Sequence, residues 1–263
     1  MELLRAFLLT AALAVAHTDA PAQADLAQLG ALYQDLQSSD WATRQKAFKR
    51  IRDNEEFLKQ PQTGDRLLAL LVSERLEMQR RAAAGLDAEN ELYDEALETA
   101  WRLWKEKLTP EAFRVFAEAS YNPGSRFARE LGLRAGRFVK ELIPLTTVDG
   151  EEVRMYTREN ATALVGYALA ADQQGIAPLS PPDRAALIQA LTRAASDRAY
   201  GVRWAAVSSM KLAGGQWAIP VLEQMRTREP SLHPTGMDPA SKQYFEAEIE
   251  AAIQAIRARS ENR

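Results

Sequence analysis

The sequence predicts an all-α chain in which helix pairs stack side by side, and three observations predict it. Apolar residues return every three or four positions through nearly all of residues 25–263. Residues 183–225 spell out a helix, a turn, a second helix and the start of a third, each with its own start and stop signals. An Arg followed three residues later by Ala or Gly recurs at Arg44, Arg80, Arg129, Arg158 and Arg203, with gaps of 36, 49, 29 and 45 residues. Those gaps straddle the roughly 33 to 47 residues of a helical repeat unit. A short helix pair cannot hide its apolar face alone and must lie against a neighbour.

The first helix is expected over about Leu26 to Gln37. Ser39 or Asp40 then caps a second, which runs through Trp41, Ala47, Phe48 and Ile51. After a break at residues 60–64, Leu67, Leu68, Leu70, Leu71 and Leu76 mark an apolar helix that runs towards Gly85. Glu91 to Lys107 follows, with Leu92, Tyr93, Ala96, Leu97, Ala100, Trp101 and Trp104 on its inner face. Thr109, Pro110 and Glu111 combine a cap, a first-turn proline and an early acid, so a helix begins there and buries Phe113, Phe116 and Ala117. Residues 121–124 turn the chain into a helix from Arg126 to Leu142.

Helical periodicity fails between Pro144 and Thr157. Thr146 to Val148, the Asp149-Gly150 pair and Val153 to Tyr156 read as strand, tight turn and strand, a small β-hairpin insert near residues 146–156. An irregular loop is the alternative. Inserts of this kind project from one edge of a helical stack and serve as contact points for partners. Helices resume at Arg158 to Ala171, then from Asp183, Tyr200 and Trp217. A proline-rich break at 229–239 precedes a last helix from Lys242 to about Arg257.

The 183–225 unit carries the most specific pattern. Asp197 is placed to accept from backbone amides at the start of the second helix or in the turn leading to it. Val202, Ala205, Ala206, Met210 and Leu212 then fall roughly on one face. Gly214 and Gly215 end that helix, and Pro220 sits in the first turn of the next, where its missing donor matters least. This stretch resembles a HEAT-like repeat of the PBS-lyase type. The resemblance implies a right-handed α-solenoid of stacked antiparallel helix pairs, one domain over residues 25–263, presenting a surface to another protein. It also implies that Asp and Arg residues form a ladder between successive units, a role that carries over to Asp40 with Arg44 and to Asp197 with Arg203.

The first residues address the chain's compartment. A short start with Arg5, an apolar run from Ala6 to Ala16 and small residues at Ala22-Gln23-Ala24 look like a secretory signal peptide over residues 1–24. The run is too short for a spanning helix of about 20 residues, so no stable membrane insertion is expected once the segment is cleaved. A periplasmic or secreted location follows. An amphipathic first helix is the alternative use of Leu3, Leu4, Phe7, Leu8 and Leu9.

Charge and composition exclude several functions. Losing residues 1–24 takes away Arg5, Glu2 and Asp19 and leaves 32 basic against 34 acidic side chains. A near-neutral exported chain lacks the concentrated basic face that nucleic-acid binding needs. With no cysteine there are no disulfides and no thiolate chemistry. Of the two histidines, His17 lies in the leader and His233 is alone in a loop, so neither a hydrolytic triad nor a multi-histidine zinc site can be assembled. No glycine-rich phosphate loop is present, and neither cofactor nor metal is expected. The candidate protein-binding residues are Arg203 and Trp204, which line the groove of the stack, and Asp149 and Gly150 in the insert. The reading is a non-enzymatic scaffold for another protein. The alternative is a cell-envelope enzyme, acting on glycans, with two carboxylates about 5 to 9.5 Å apart in the groove.

Overall fold

A computed structural model describes residues 28–84, 91–119, 125–148, 152–232 and 239–261. Among these residues every regular element is helical and none is a strand. They gather into two compact units, the first ending at Trp104 and the second beginning at Lys105. The expected signal segment, residues 1–24, lies outside the described residues.

The first unit holds α1 (residues 28–35), α2 (Trp41–Arg52), α3 (Glu55–Leu58), α4 (Pro61–Ala83) and α5 (Glu91–Trp104). The Asp40 side chain caps α2 by accepting from the Thr43 amide at 2.9 Å, and Asn54 caps α3 in the same way. Phe48, Ile51, Leu67, Leu70, Leu71, Leu92, Tyr93 and Ala96 are buried where α2, α4 and α5 meet. The expected break at residues 60–64 ends at Pro61, the first residue of α4. Gly64 therefore stands within the helix, where a Cβ would press on the Trp104 indole. Trp41 and Leu76 are exposed, because each lies off the face that α5 and its neighbours cover.

In the second unit the order is α6 (Pro110–Ala119), α7 (Arg126–Ala135), a 3-10 turn (Gly136–Phe138), α8 (Val139–Leu145), α9 (Glu152–Gln173), α10 (Pro181–Ala194), α11 (Tyr200–Ala213), α12 (Ala218–Leu232) and α13 (Pro239–Glu261). These helices form rows. α7 touches α9, α9 touches α11 and α11 touches α13, while α6, α8 and α10 meet in the same successive fashion. α12 lies against α13. α9 is central, reaching α6, α7, α8, α10 and α11.

Two glycines let the row close. A Cβ on Gly132 of α7 would overlap the Tyr167 side chain of α9, and one on Gly166 of α9 would overlap Ser209 of α11. Ser209 uses the closeness to donate to the Thr162 carbonyl across the helix pair, at 3.1 Å. Helix-interior glycine costs roughly 1 kcal/mol of propensity relative to alanine. Here the cost is offset by packing that a larger residue would prevent.

Two expectations are corrected. The second arm of the anticipated hairpin is helical: residues 152–156 are the opening turns of α9, and Asp149 and Gly150 lie outside the described residues. The Arg158 guanidinium pins the chain that precedes the helix by donating to the Val148 carbonyl at 3.1 Å. The helix expected over Arg126 to Leu142 is instead interrupted at the 3-10 turn. There Phe138 leaves the helical course to stack on Phe113, with ring centroids 4.7 Å apart. In the 183–225 unit, Val202, Ala205, Ala206 and Met210 are buried as expected, but Leu212 is exposed because the row-facing stripe ends at Met210 and Ala213.

Candidate functional site

The most distinctive constellation surrounds α11, whose two ends are each held by its neighbours in the row. At its start the chain makes a turn through Asp197 and Arg198. The Arg203 guanidinium reaches back to that turn and donates to the carbonyls of Asp197 at 2.8 Å and Arg198 at 3.0 Å. The Asp197 carboxylate accepts from the Ala199 amide at 2.8 Å and takes a two-pronged bond from Arg158 of α9, at 2.8 and 3.2 Å. At the other end, where helix carbonyls lack intrahelical donors, the Gln173 amide of α9 donates to the Ala213 carbonyl. Arg259 of α13 donates to the carbonyls of Lys211 at 2.7 Å and Gly214 at 2.9 Å.

Arg203, expected on the surface, is 0% exposed. Its Nη1 serves both turn carbonyls, so it is a buried structural residue that closes the turn. Trp204, next in sequence, is half-buried and does face outward. Its indole stacks almost parallel on Tyr244 of α13, at 5.5 Å and 6°, with Tyr200 and Phe245 tilted against it at 6.0 and 5.8 Å. Phe245 is buried, whereas Tyr244 is 68% exposed. The cluster is thus anchored at Phe245 and open to solvent at Tyr244.

A carboxylate borders this aromatic face. Glu159 of α9 lies against the α11 backbone at Gly201, where a Cβ would meet its carboxylate. Desolvation raises its pKa above the ordinary glutamate value. The glycine gives the acid room one residue from Tyr200 and three from Trp204.

Two cavities among the described residues bear on the site besides. One, of about 540 Å³, lies among the ends of α9 and α11 and the starts of α10 and α12, with Leu169, Ile188 and Trp217 as apolar walls. Its single carboxylate, Asp172, is engaged: Arg184 donates to it twice, at 2.6 and 2.9 Å, and the Leu179 amide once, at 2.9 Å. The Arg184 hydrogen bonds hold the Asp172 pKa below its usual range. The second cavity, of about 400 Å³, belongs to the first unit and is lined by arginines and small polar residues. Neither cavity places two carboxylates face to face, so the acid and base arrangement of a glycan-cleaving site is not formed in them.

Among the described residues no group of three or more His, Asp or Glu side chains is placed to hold a metal ion, and His233 lies outside them. No helix among them is long and apolar enough to cross a membrane.

Set against family models, curated proteins and solved structures, the chain matches none.

Sequence reasoning picked out Trp204 but missed its platform, Tyr244, because the two lie 40 positions apart and only the packing of α13 on α11 brings them together. It also missed Arg158 as the partner of Asp197. A signal existed, since Arg158 belongs to the same Arg-x-x-Ala series as Arg203. Asp40, to which the ladder role was carried over, forms a local cap in which its carboxylate accepts from the Thr43 amide and hydroxyl.

Proposed function

We propose that the chain is an exported helical-repeat protein of the HEAT-like kind, and that it serves as a scaffold for another protein in the periplasm or cell envelope through the face formed by α11 and α13. The observation that carries this reading is the aromatic stack of Trp204 on a largely exposed Tyr244. Large aromatics anchored on one side and open on the other are the residues that contribute most when a second protein excludes water from them. The site needs no chemistry to work; it needs a complementary surface.

The repeat reading draws on three features. Helices follow one another in rows, each touching the next. The Asp197 to Arg158 bond links positions 39 residues apart, within the roughly 33 to 47 residues of a helical unit. Arg44 and Arg203 make the same bonds, each to the carbonyls six and five residues before it. Stacks of this kind present extended surfaces built from one row of helices. The leader-like residues 1–24 support export, and with no cysteine there is no thiol for redox work.

The test is site-specific photocrosslinking in intact cells, with a benzophenone amino acid placed at Tyr244 and, as a control, at the exposed Gln189 on α10. The reading predicts one discrete heavier species from position 244, absent from 189 and lost when Trp204→Ala is added. No adduct at 244, or the same adducts from both positions, refutes the α11 and α13 face as the docking surface. Retention of the protein in the cytoplasmic fraction refutes the export reading separately.

A further inference from the structure

The first unit holds a second, independent site. Arg66, Ala69, Leu70, Ser73, Glu77 and Arg80 line the 400 Å³ cavity. Their spacing of three, four and seven residues places them on one face of α4. From Arg66 to Arg80 that face extends about 21 Å. Its opposite wall is the end of α1 and the turn after it, including Tyr33, Gln37 and Ser39. Ala69 and Ser73 make a shallow floor between two guanidinium groups.

The charges in this groove are unbalanced. Arg44, at its base, is bound to the Glu74 carboxylate and to the carbonyls of Ser38 and Ser39. Arg80 stands 3.3 Å from Glu77 at the solvent-exposed end. Arg66 has no carboxylate and no hydrogen-bond partner among the described residues. What positions it is the ring of Tyr33, 5.6 Å from the guanidinium carbon, and that ring is itself fixed by a 2.6 Å hydrogen bond between its hydroxyl and Thr63. A guanidinium held over an aromatic face, with its hydrogen-bonding fork unused, is prepared to receive a carboxylate through two parallel bonds.

The geometry points to a peptide-binding groove for an acidic, extended segment of a partner protein, anchored by one of its carboxylates on Arg66. About six residues of extended chain span 21 Å. The Gln37 side-chain amide and the Ser39 hydroxyl, neither of them hydrogen-bonded within the described residues, offer donors and acceptors to a peptide backbone, and the Ser73 hydroxyl, which donates to the Leu70 carbonyl, keeps acceptor capacity. The excess of guanidinium over carboxylate in the groove selects an acidic sequence over a basic one. This site shares no residue with the α11 and α13 face, so either assignment can fail without the other.

The experiment uses the purified full-length chain and a fluorescein-labelled, N-acetylated and C-amidated hexapeptide of alternating Glu and Ala, with the Gln-for-Glu peptide as control, followed by fluorescence anisotropy. Saturable binding of the Glu peptide, at least about tenfold weaker binding of the Gln peptide, and a loss of about tenfold or more in Arg66→Gln are the expected results. Ser73→Phe, which fills the floor without changing charge, should abolish binding, while Arg126→Gln on the exposed surface of α7 should leave it within about twofold. Thermal melts of the variants should match the parent, since Arg66 and Ser73 are exposed. Equal affinity for the two peptides, indifference to Arg66→Gln, or no saturation up to about 1 mM overturns the proposal. Binding of inorganic phosphate with none of the Glu peptide overturns it too, because it would mark an anion site too small for a peptide.

Discussion

Arg44 in the first unit and Arg203 in the second perform the same task under different electrostatic arrangements. Each lies one turn into its helix, and each donates to the carbonyls six and five positions earlier, closing the turn that leads in. Around Arg44 the balancing charge is direct, with the fully buried Glu74 of α4 bonded to its Nε. Around Arg203 the nearest turn carboxylate, Asp197, is directed away to Arg158 of the preceding helix in the row. The recurring element is therefore the closing of the turn, a backbone requirement, and the charge partner is chosen locally. In the second unit that choice ties three helices together, because a residue that shapes the turn also binds α9.

The comparison is broken hardest at Glu74. Glu74→Ala leaves a guanidinium that is 10% exposed without its carboxylate, and removing one partner of a buried pair costs about 3 to 5 kcal/mol. Hydrogen exchange in peptides from α2 and α4 should accelerate accordingly, with those from α11 unchanged. Unaltered exchange in α2 would mean that the carbonyl bonds alone hold Arg44.

Arg203→Met keeps an apolar stem but strands two turn carbonyls, for about 3 kcal/mol. If closing the turn is the shared task, the loss appears in residues 197–203 and spreads along α11. A smaller effect, about 2 kcal/mol, is expected for Asp197→Asn, which weakens the two-pronged bond to Arg158 while sparing the cap at Ala199. Combined with Arg158→Met, it should cost little more than either change alone. Full additivity in urea melts would show that the two side chains act separately.

The smallest effects concern pH and have opposite signs. Asp172 has a lowered folded pKa owing first to Arg184, so its contribution is present above the ordinary aspartate value and is lost as pH falls through the folded one. Glu159 has a raised folded pKa from desolvation, so it weakens the fold as pH rises from the ordinary glutamate value through the folded one. Asp172→Asn should therefore lower Tm at pH 7 and converge on the parent in acid. Glu159→Gln should raise Tm at pH 7 and likewise converge in acid. A Glu159→Gln protein that melts below its parent at pH 7 would indicate that the charged form is stabilised where it stands.

Periodicity revealed the helices well wherever an apolar stripe was long, as at α5, α6 and α11, because burial of one face is written directly into spacing. It failed where tertiary contacts overrode local preference. Phe138 stacks on Phe113 and breaks a helix whose sequence reads as continuous. Glu152 to Tyr156 alternate like a strand, yet they extend α9, whose position is set by helices on several sides. Trp204 was legible as an outward aromatic because its helix was. Its stacking on Tyr244 was not, since that contact joins segments 40 positions apart. Arg203 was misplaced on the surface for a related reason: a charged side chain is ordinarily solvated, and only the turn carbonyls at Asp197 and Arg198 make its burial tolerable.

The central position of α9 also bears on how the second unit comes apart. A rod with neighbours on so many sides cannot loosen without releasing all of them, whereas α12 and α13 can lift away together and leave the remainder of the unit standing. Fraying should begin at the carboxyl end and stop at α11, and the amides near Leu164 and Val165 should be the last in the molecule to take up deuterium.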